Sequence, residues 1–469
     1  MTDITTDITT DTATPTATTT SLDTSAWGGR HVHDPTAVRD DDGVYWLFST
    51  DARSDGPVRG GVQVRRSADL VTWDFHGWAL PGVPAPAADW SGAEGLWAPE
   101  VVQVATAGGP VWRMYYSAST FGSRRSAIGL AEAPHPAGPW TDRGIVVASE
   151  HVEPPAGLGH PNAIDANVVT EPDGSQWLVY GSFFSGIHVL PLDAATGLVA
   201  DGFAPAAGEL HAAPGRLLAR RARAADGAVE GAFVLPRPGG GWALLVSYDS
   251  LGGSYHLRVS AGDAVAGPYR DRRGLLLTDV DADPWSVGVP VLSGHRLADG
   301  PGVLAPGHAS VLSERVPAAV PEAGTHARQL LVHHVRDADA PTEHRLQLRR
   351  LVWTHDAWPL VAPQPWAGPG REVDDVSRWP ADPAVLDGLW EQLTPGTDPT
   401  RVQDGVVGPL EARTAVRALG GGRFAWTAPD GAAVSAVVHP AWDAVRDRAT
   451  LCLESLDDAG RVTLATRLP

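Results

Sequence analysis

Apolar and polar positions along the chain repeat in one short frame: a polar or small residue, a small residue or Pro, one further residue, then two apolar residues that lead into a turn and an aromatic-rich segment. The frame opens at Asp34 (Asp34-Pro-Thr-Ala-Val), Ala98 (Ala98-Pro-Glu-Val-Val), Asp165 (Asp165-Ala-Asn-Val-Val), Glu230 (Glu230-Gly-Ala-Phe-Val) and His308 (His308-Ala-Ser-Val-Leu), with starts 64, 67, 65 and 78 residues apart. A second strand follows each copy, at 45–50, 112–117, 177–182, 242–247 and 329–334, across turn formers such as Asp40-Asp-Asp-Gly43 and Pro172-Asp-Gly174. Paired short strands at a near-constant period predict a propeller of antiparallel blades. No helical period competes with them. In a propeller the five leading positions are equivalent and converge on one axis.

The strand pattern fills residues 26–370, which end in the Pro/Gly break Leu360-Val-Ala-Pro-Gln-Pro-Trp-Ala-Gly-Pro-Gly370. Beyond it, residues 375–469 carry short strands of their own at 422–427, 433–439, 450–455 and 461–468, enough for a small antiparallel barrel or sandwich. Residues 1–25 are rich in Thr and Asp and have neither a basic nor an apolar stretch, so they read as a disordered tail and not as an export signal. The expected fold class is all-β: a five-bladed β-propeller followed by a small C-terminal β domain.

Composition narrows the partners. A formal charge of −19 disfavours nucleic acid and anionic membrane surfaces, both of which need a basic face, and suits a neutral substrate. All the basic residues are Arg, which reflects codon bias and carries no functional message. Trp outnumbers Tyr and Phe, 18 against 7 and 8. Most of these side chains fill a β core, but Trp is also the side chain that stacks best on a sugar face. The single Cys, Cys452, excludes an intramolecular disulfide. No run is long enough to span a bilayer. A cytoplasmic monomer is the default expectation, with secretion following only from a different start.

Three of the five leading residues, Asp34, Asp165 and Glu230, are carboxylic acids. Brought together at the axis, like charges raise one another's pKa, so one carboxyl stays protonated while another is ionised. Glycoside hydrolysis needs such a pair, an acid for the leaving oxygen and a base or nucleophile on the other face. The alternative is structural: Asp34 and Asp165 capping turns, and Glu230 at a solvated strand end. The alternating acids of Asp279-Val-Asp-Ala-Asp283 lack the Gly and distal Glu of a calcium loop and read as a solvated turn.

Seven blocks in order then resemble glycoside hydrolase family 43, and within it the arabinan endo-1,5-α-L-arabinosidases: His33-Asp-Pro35, Trp97-Ala-Pro-Glu100, Phe121-Gly-Ser123 with Ser126-Ala-Ile-Gly-Leu130, Asn162-Ala-Ile-Asp165, Gly181-Ser-Phe-Phe-Ser-Gly-Ile187, Val229-Glu-Gly-Ala232 and Gly307-His308. The resemblance implies an inverting hydrolase of α-1,5-linked arabinan or arabino-oligosaccharides. It assigns Asp34 as general base, Glu230 as general acid and Asp165 as the acid that orients Glu230, with base and acid about 6.5–9.5 Å apart to admit a water. It further implies sugar contacts from His33, Trp97, Phe121, Ser126, Asn162, Ser182, Phe183 and Phe184. His308 is implied to hold an axial metal, usually calcium, whose other ligands are mostly water; no organic cofactor is expected. An exo-acting α-L-arabinofuranosidase or β-xylosidase of the same family, and a non-catalytic glycan-binding propeller, are the competing readings. The 375–469 segment is loosely similar to the β-barrel domain appended to larger arabinanases, through Gly388-Leu-Trp390, Phe424-Ala-Trp426 and Val437-Val-His-Pro-Ala-Trp442.

Overall fold

The computed structural model describes residues 23–106, 108–123, 125–149, 161–203, 215–298, 300–317, 325–396 and 398–469; residues 1–22 of the expected tail lie outside them. Five antiparallel meanders follow one another along the chain. Blade 1 is Thr36–Arg39, Tyr45–Ser49, Gln63–Ser67 and Asp74–Trp78; blade 2 is Leu96–Thr106, Gly109–Ala118, Ser126–Ala133 and Thr141–Ser149. Blade 3 is Asn167–Thr170, Gln176–Tyr180, Ile187–Leu192 and Arg216–Ala219, and blade 4 is Val229–Pro236, Trp242–Tyr248, His256–Gly262 and Val289–Leu292. Blade 5 is built on Val303–Pro317, Thr325–Asp337, Ala340–Trp353 and Pro359–Pro365.

The second strand of a blade is covered on both faces, which is why Tyr45–Ser49 and Trp242–Tyr248 are buried at every position and open on the apolar runs 45–48 and 242–246 without alternation. Their side chains build five cores, one between each pair of neighbours. Phe48 and Met114 meet between blades 1 and 2, Tyr115 and Leu178 between 2 and 3, and Val179 and Leu244 between 3 and 4. Leu245 and Leu331 meet between blades 4 and 5, and Leu47 and Val332 between 5 and 1. The ring closes through the segment ahead of blade 1: the His31 N–H donates to the His344 carbonyl at 2.9 Å and the Leu346 N–H to the Gly29 carbonyl at 2.8 Å.

The C-terminal residues form one seven-stranded antiparallel sheet in the order Val406–Gly408, Trp390–Leu393, Val462–Arg467, Arg448–Asp457, Ala433–Asp443, Arg423–Thr427, Thr414–Gly420. It packs on the propeller directly. Leu393, Val437, Leu456, Val462 and Leu464 share one core with Leu351, Trp358 and Leu360 of blade 5, and Gln403–Asp404 pairs in parallel with His295–Arg296 in the blade 5 sheet. One helix was not expected, Ala85–Ser91 behind Pro84. With two buried residues, Ala87 and Ser91, it is too short to show a helical period.

Candidate active site

The five leading segments meet around an axial cavity of about 20 Å³, whose wall carries Asp34, Thr36, Glu100, Asp165, Gly231, His308 and Ser310. Backbone conformation marks their equivalence. Asp34 (φ 49°), Ala98 (37°), Asp165 (61°) and His308 (46°) all hold left-handed backbone, and the matching residue of blade 4 is Gly231 (56°), not Glu230. The fourth copy of the frame is therefore Gly231-Ala-Phe-Val-Leu, displaced by one residue from the sequence expectation. The pairing register shifts beside this turn, between Trp97 and Glu100, Glu230 and Phe233, and Gly307 and Ser310, the local kink by which a bulge re-aims side chains. Glu230 thus occupies the place before the turn, equivalent to His33, Trp97, Ile164 and Gly307, and stands in a different ring from Asp34 and Asp165. Gly231 is required twice over: its φ is positive, and a Cβ there would lie 3.0 Å from His308 Cγ.

Each leading segment is tied to the preceding blade by a residue in the last few positions of that blade's second strand or just after it. Thr50 Oγ1 donates to Asp34 Oδ2 at 2.7 Å and accepts the Ala98 N–H at 2.8 Å. Ser117 Oγ accepts the Asp165 N–H at 3.0 Å, and Ser182 Oγ donates to Glu230 Oε2 at 2.8 Å. Ser247 Oγ accepts the His308 N–H at 2.8 Å, and His334 Nδ1 accepts the Asp34 N–H at 3.2 Å. A second tier lies further along the same strands. Thr36 Oγ1 donates to Glu100 Oε2 at 3.2 Å, Asn167 Nδ2 donates to Glu100 Oε1 at 2.9 Å, and Ser310 Oγ donates to the Pro35 carbonyl at 2.9 Å. The sequence reading missed Thr50, Ser117, Ser247 and His334. The signal was present, since four second strands run into a hydroxyl residue and the fifth into a His.

Charge is divided unevenly among the acids. Burial alone would push the Asp34 carboxyl up, but His308 Nδ1 at 3.0 Å and His33 Nδ1 at 2.8 Å from Oδ1 outweigh it and hold the group well below the usual carboxylate range. His308 is the counterpart: burial opposes its charge, yet Asp34 and then Asp165 keep it raised to about 10. Asp165 is pushed up to about 7 by burial, against the pull of His308 and with the added push of Glu230 and Asp34. Burial likewise raises Glu100 to about 7 despite its bond to Asn167. One carboxylate is thus fixed as an anion at neutral pH while a second, in the same cluster, can carry a proton.

The remaining expected site residues are placed as follows. His33 is buried and stacks on His334 with ring centroids 3.8 Å apart. Trp97 is half-buried on the inner strand of blade 2, and Phe121, in the turn after that blade's second strand, is 93% exposed, the most uncovered large apolar side chain described. Ser126 Oγ donates to Asn162 Oδ1 at 2.6 Å, so these two form a buried pair. Phe183 (φ 53°) and Phe184 (39°) are both left-handed, and the Phe183 N–H donates to the Val229 carbonyl at 2.8 Å, fastening this turn beside Glu230. Ser182 acts on Glu230 itself, as its hydrogen-bond donor.

The donors around the axis suit a hard cation. The wall of the cavity presents the carboxylates of Asp34, Glu100 and Asp165 and the hydroxyls of Thr36 and Ser310, oxygen ligands of the kind calcium prefers. His308 faces the same cavity with its Nδ1 held by Asp34. A tighter grouping of possible ligand atoms, His33, Asp34 and His334, is occupied by the bonds that position the Asp34 carboxylate.

The model of the family described as glycosyl hydrolases family 43 matches residues 29–359. The chain is 28% identical over 389 residues to the extracellular endo-α-(1→5)-L-arabinanase of Thermotoga petrophila, covering 76% of this chain and 74% of that one. It is 35% identical over 292 residues to arabinan endo-1,5-α-L-arabinosidase C of Emericella nidulans, covering 59% and 77%. The crystal structure of an endo-1,5-α-L-arabinanase from Thermotoga petrophila superposes with a TM-score of 0.75 at 24% identity, over 94% of this chain and 99% of that one, and so shares the fold including the C-terminal sheet. No helix among the described residues is long and apolar enough to cross a membrane.

Proposed function

This chain belongs to glycosyl hydrolase family 43, and from that premise we propose that it hydrolyses α-1,5-L-arabinofuranosyl linkages of arabinan and arabino-oligosaccharides with inversion. The observation that carries the reading is the axial cluster in which Asp34 is held anionic beside His308 while Glu230 stands one ring away, fastened by Ser182. Asp34 takes the proton of a water that attacks the anomeric carbon. Glu230 gives its proton to the departing sugar oxygen on the opposite face, so the anomeric centre inverts in one displacement. Asp165, which accepts the Gly231 N–H at 3.2 Å, fixes the backbone next to Glu230 and so its aim. Phe121 offers the exposed ring on which a furanose stacks, with Trp97 as a second platform. Calcium on the axis would be held mostly by water, with the carboxylates around it and His308 once the ion displaces its second ring proton, and would supply fixed positive charge beside Asp34 and Asp165.

Debranched arabinan and short arabino-oligosaccharides, followed by product length and by NMR of the first-formed anomer, test this reading. Mixed oligomers with a β-configured new reducing end are expected. Arabinose alone from the outset would mean exo action, a retained α anomer would remove the one-step mechanism, and binding without turnover would make the chain a glycan-binding module. Asp34→Asn and Glu230→Gln should each lower kcat by about 10²–10⁴-fold. An enzyme that opens a polymer works outside the cell, as the name of the Thermotoga petrophila relative says of that protein. Fractionation of producing cells decides between that and the cytoplasmic expectation.

A further inference from the structure

Away from the axis, the C-terminal sheet buries a second set of ligand-type side chains. His439 and Cys452 face each other across the paired strands Ala433–Asp443 and Arg448–Asp457, and Glu454, two residues beyond Cys452, points to the same side. One ligand atom from each of the three lies within 4.8 Å of the other two. All three residues are completely buried. The cluster sits at the seam with the propeller: Trp379 packs against the His439 ring at 5.3 Å, and Gln364 Nε2 donates to Thr466 Oγ1, next to Cys452, at 3.1 Å.

The hydrogen bonding leaves a cation-shaped gap. His439 Nδ1 lies 3.0 Å from the Pro440 carbonyl, a contact that takes an N–H on Nδ1 and turns the lone pair of Nε2 inward. Nε2 then meets Glu454 Oε1 at 3.1 Å, two acceptors face to face if the carboxyl is ionised, while Glu454 Oε2, fully buried, has no hydrogen-bond partner among the described residues. Either a proton, on the imidazole or on the carboxyl, or a metal ion must lie between them. A nitrogen and an oxygen bound tetrahedrally to zinc at about 2.0–2.1 Å stand roughly 3.3 Å apart, close to what the pair shows. A thiolate, a carboxylate and a divalent cation also sum to zero charge, the condition for complete burial. Sulfur and imidazole together select zinc over calcium or magnesium.

We propose that His439, Cys452 and both carboxylate oxygens of Glu454 supply the four donors of a structural zinc site that locks the C-terminal sheet where it meets the fifth blade. Binding is a ligand exchange without redox change: the Cys452 thiol releases its proton to solvent and the sulfur takes its place on the metal. Enclosed as it is, the ion enters during folding and does not exchange with chelator in the native state.

Full-length protein from zinc-supplemented cells, dialysed into metal-free buffer and measured by inductively coupled plasma mass spectrometry, is expected to retain about one zinc per chain. Cys452→Ser and His439→Gln should lose at least nine-tenths of it, whereas His308→Gln, on the propeller axis, should keep it. Protein grown with cobalt should show a thiolate-to-cobalt charge-transfer band. That band decides the question in the wild-type chain even where the variants fail to fold. Folded wild-type protein without zinc and without the band would overturn the proposal and leave a buried His439–Glu454 pair bridged by a proton. Zinc undiminished in a folded Cys452→Ser variant would overturn it equally, by placing the metal elsewhere.

Discussion

At the scale of single residues, Thr50 is the side chain whose role is sharpest. Its hydroxyl donates to Asp34 Oδ2 and accepts the Ala98 N–H, so it holds the base and joins two blades with one oxygen. Thr50→Val keeps the shape and removes both bonds. A lost buried hydrogen bond costs about 1–3 kcal/mol, and where that loss falls on the orientation of the base, kcat should drop on the order of tenfold with KM little changed. Thr50→Ser should restore most of the rate; a fall in KM affinity alone would show that Thr50 serves the sugar and not the base. The pH profile tests the partner. Because His308 and His33 hold the Asp34 carboxyl well below its usual range, the acid limb of kcat/KM should lie lower than an ordinary Asp would place it. Removing a cation from beside a carboxylate raises its pKa, so His308→Gln should move that limb to higher pH. A shift to lower pH, or none, would mean that Asp34 does not govern the limb.

At the scale of the element, the turn ahead of each inner strand does the positioning, and its left-handed residue is the part least tolerant of change. Gly231→Ala adds a Cβ against the His308 ring as well as backbone strain, whereas Gly239→Ala, at φ 84° with open space around it, adds the strain alone. Both should destabilise by about 1 kcal/mol or more in urea unfolding, but only Gly231→Ala should also remove most of the activity, because His308 and Asp165 both lean on that turn. Equal activity losses would show that the close approach is relieved elsewhere. The same turns explain what was legible in the sequence. Strand pairs and their period could be read because second strands buried on both faces leave unbroken apolar runs such as residues 242–246. The displacement in the fourth blade could not, since Glu230 and Gly231 both satisfy a "polar or small" position and φ is not visible in residue type. Asp34, Asp165 and His308 were found at the axis by counting. Glu230 was counted into the same ring and is held in the adjoining one. The cross-blade hydroxyls went unread because a Ser or Thr at a strand end has many ordinary uses, and only the recurrence in four blades separates these from the rest.

At the scale of the whole molecule, the question is whether the propeller stands without the sheet that follows it. The Pro/Gly break near residue 370 suggested two bodies on a linker, yet Leu393, Val437, Leu456, Val462 and Leu464 lie in the same core as Leu351, Trp358 and Leu360. Burying an aliphatic side chain stabilises by about 1.5–3 kcal/mol, so uncovering even a few of these at once is comparable to the roughly 5–15 kcal/mol that holds a domain folded. A chain ended at Gly370 should therefore be aggregation-prone or melt well below the full-length protein, and the full chain should unfold in one calorimetric transition. The loss should reach the chemistry, because the exposed surface belongs to blade 5, the blade that supplies His308 and His334 to Asp34. A truncated propeller with the parent Tm and parent kcat would show that the shared core is a contact surface only. Two separate transitions in the intact chain would show the same from the other side.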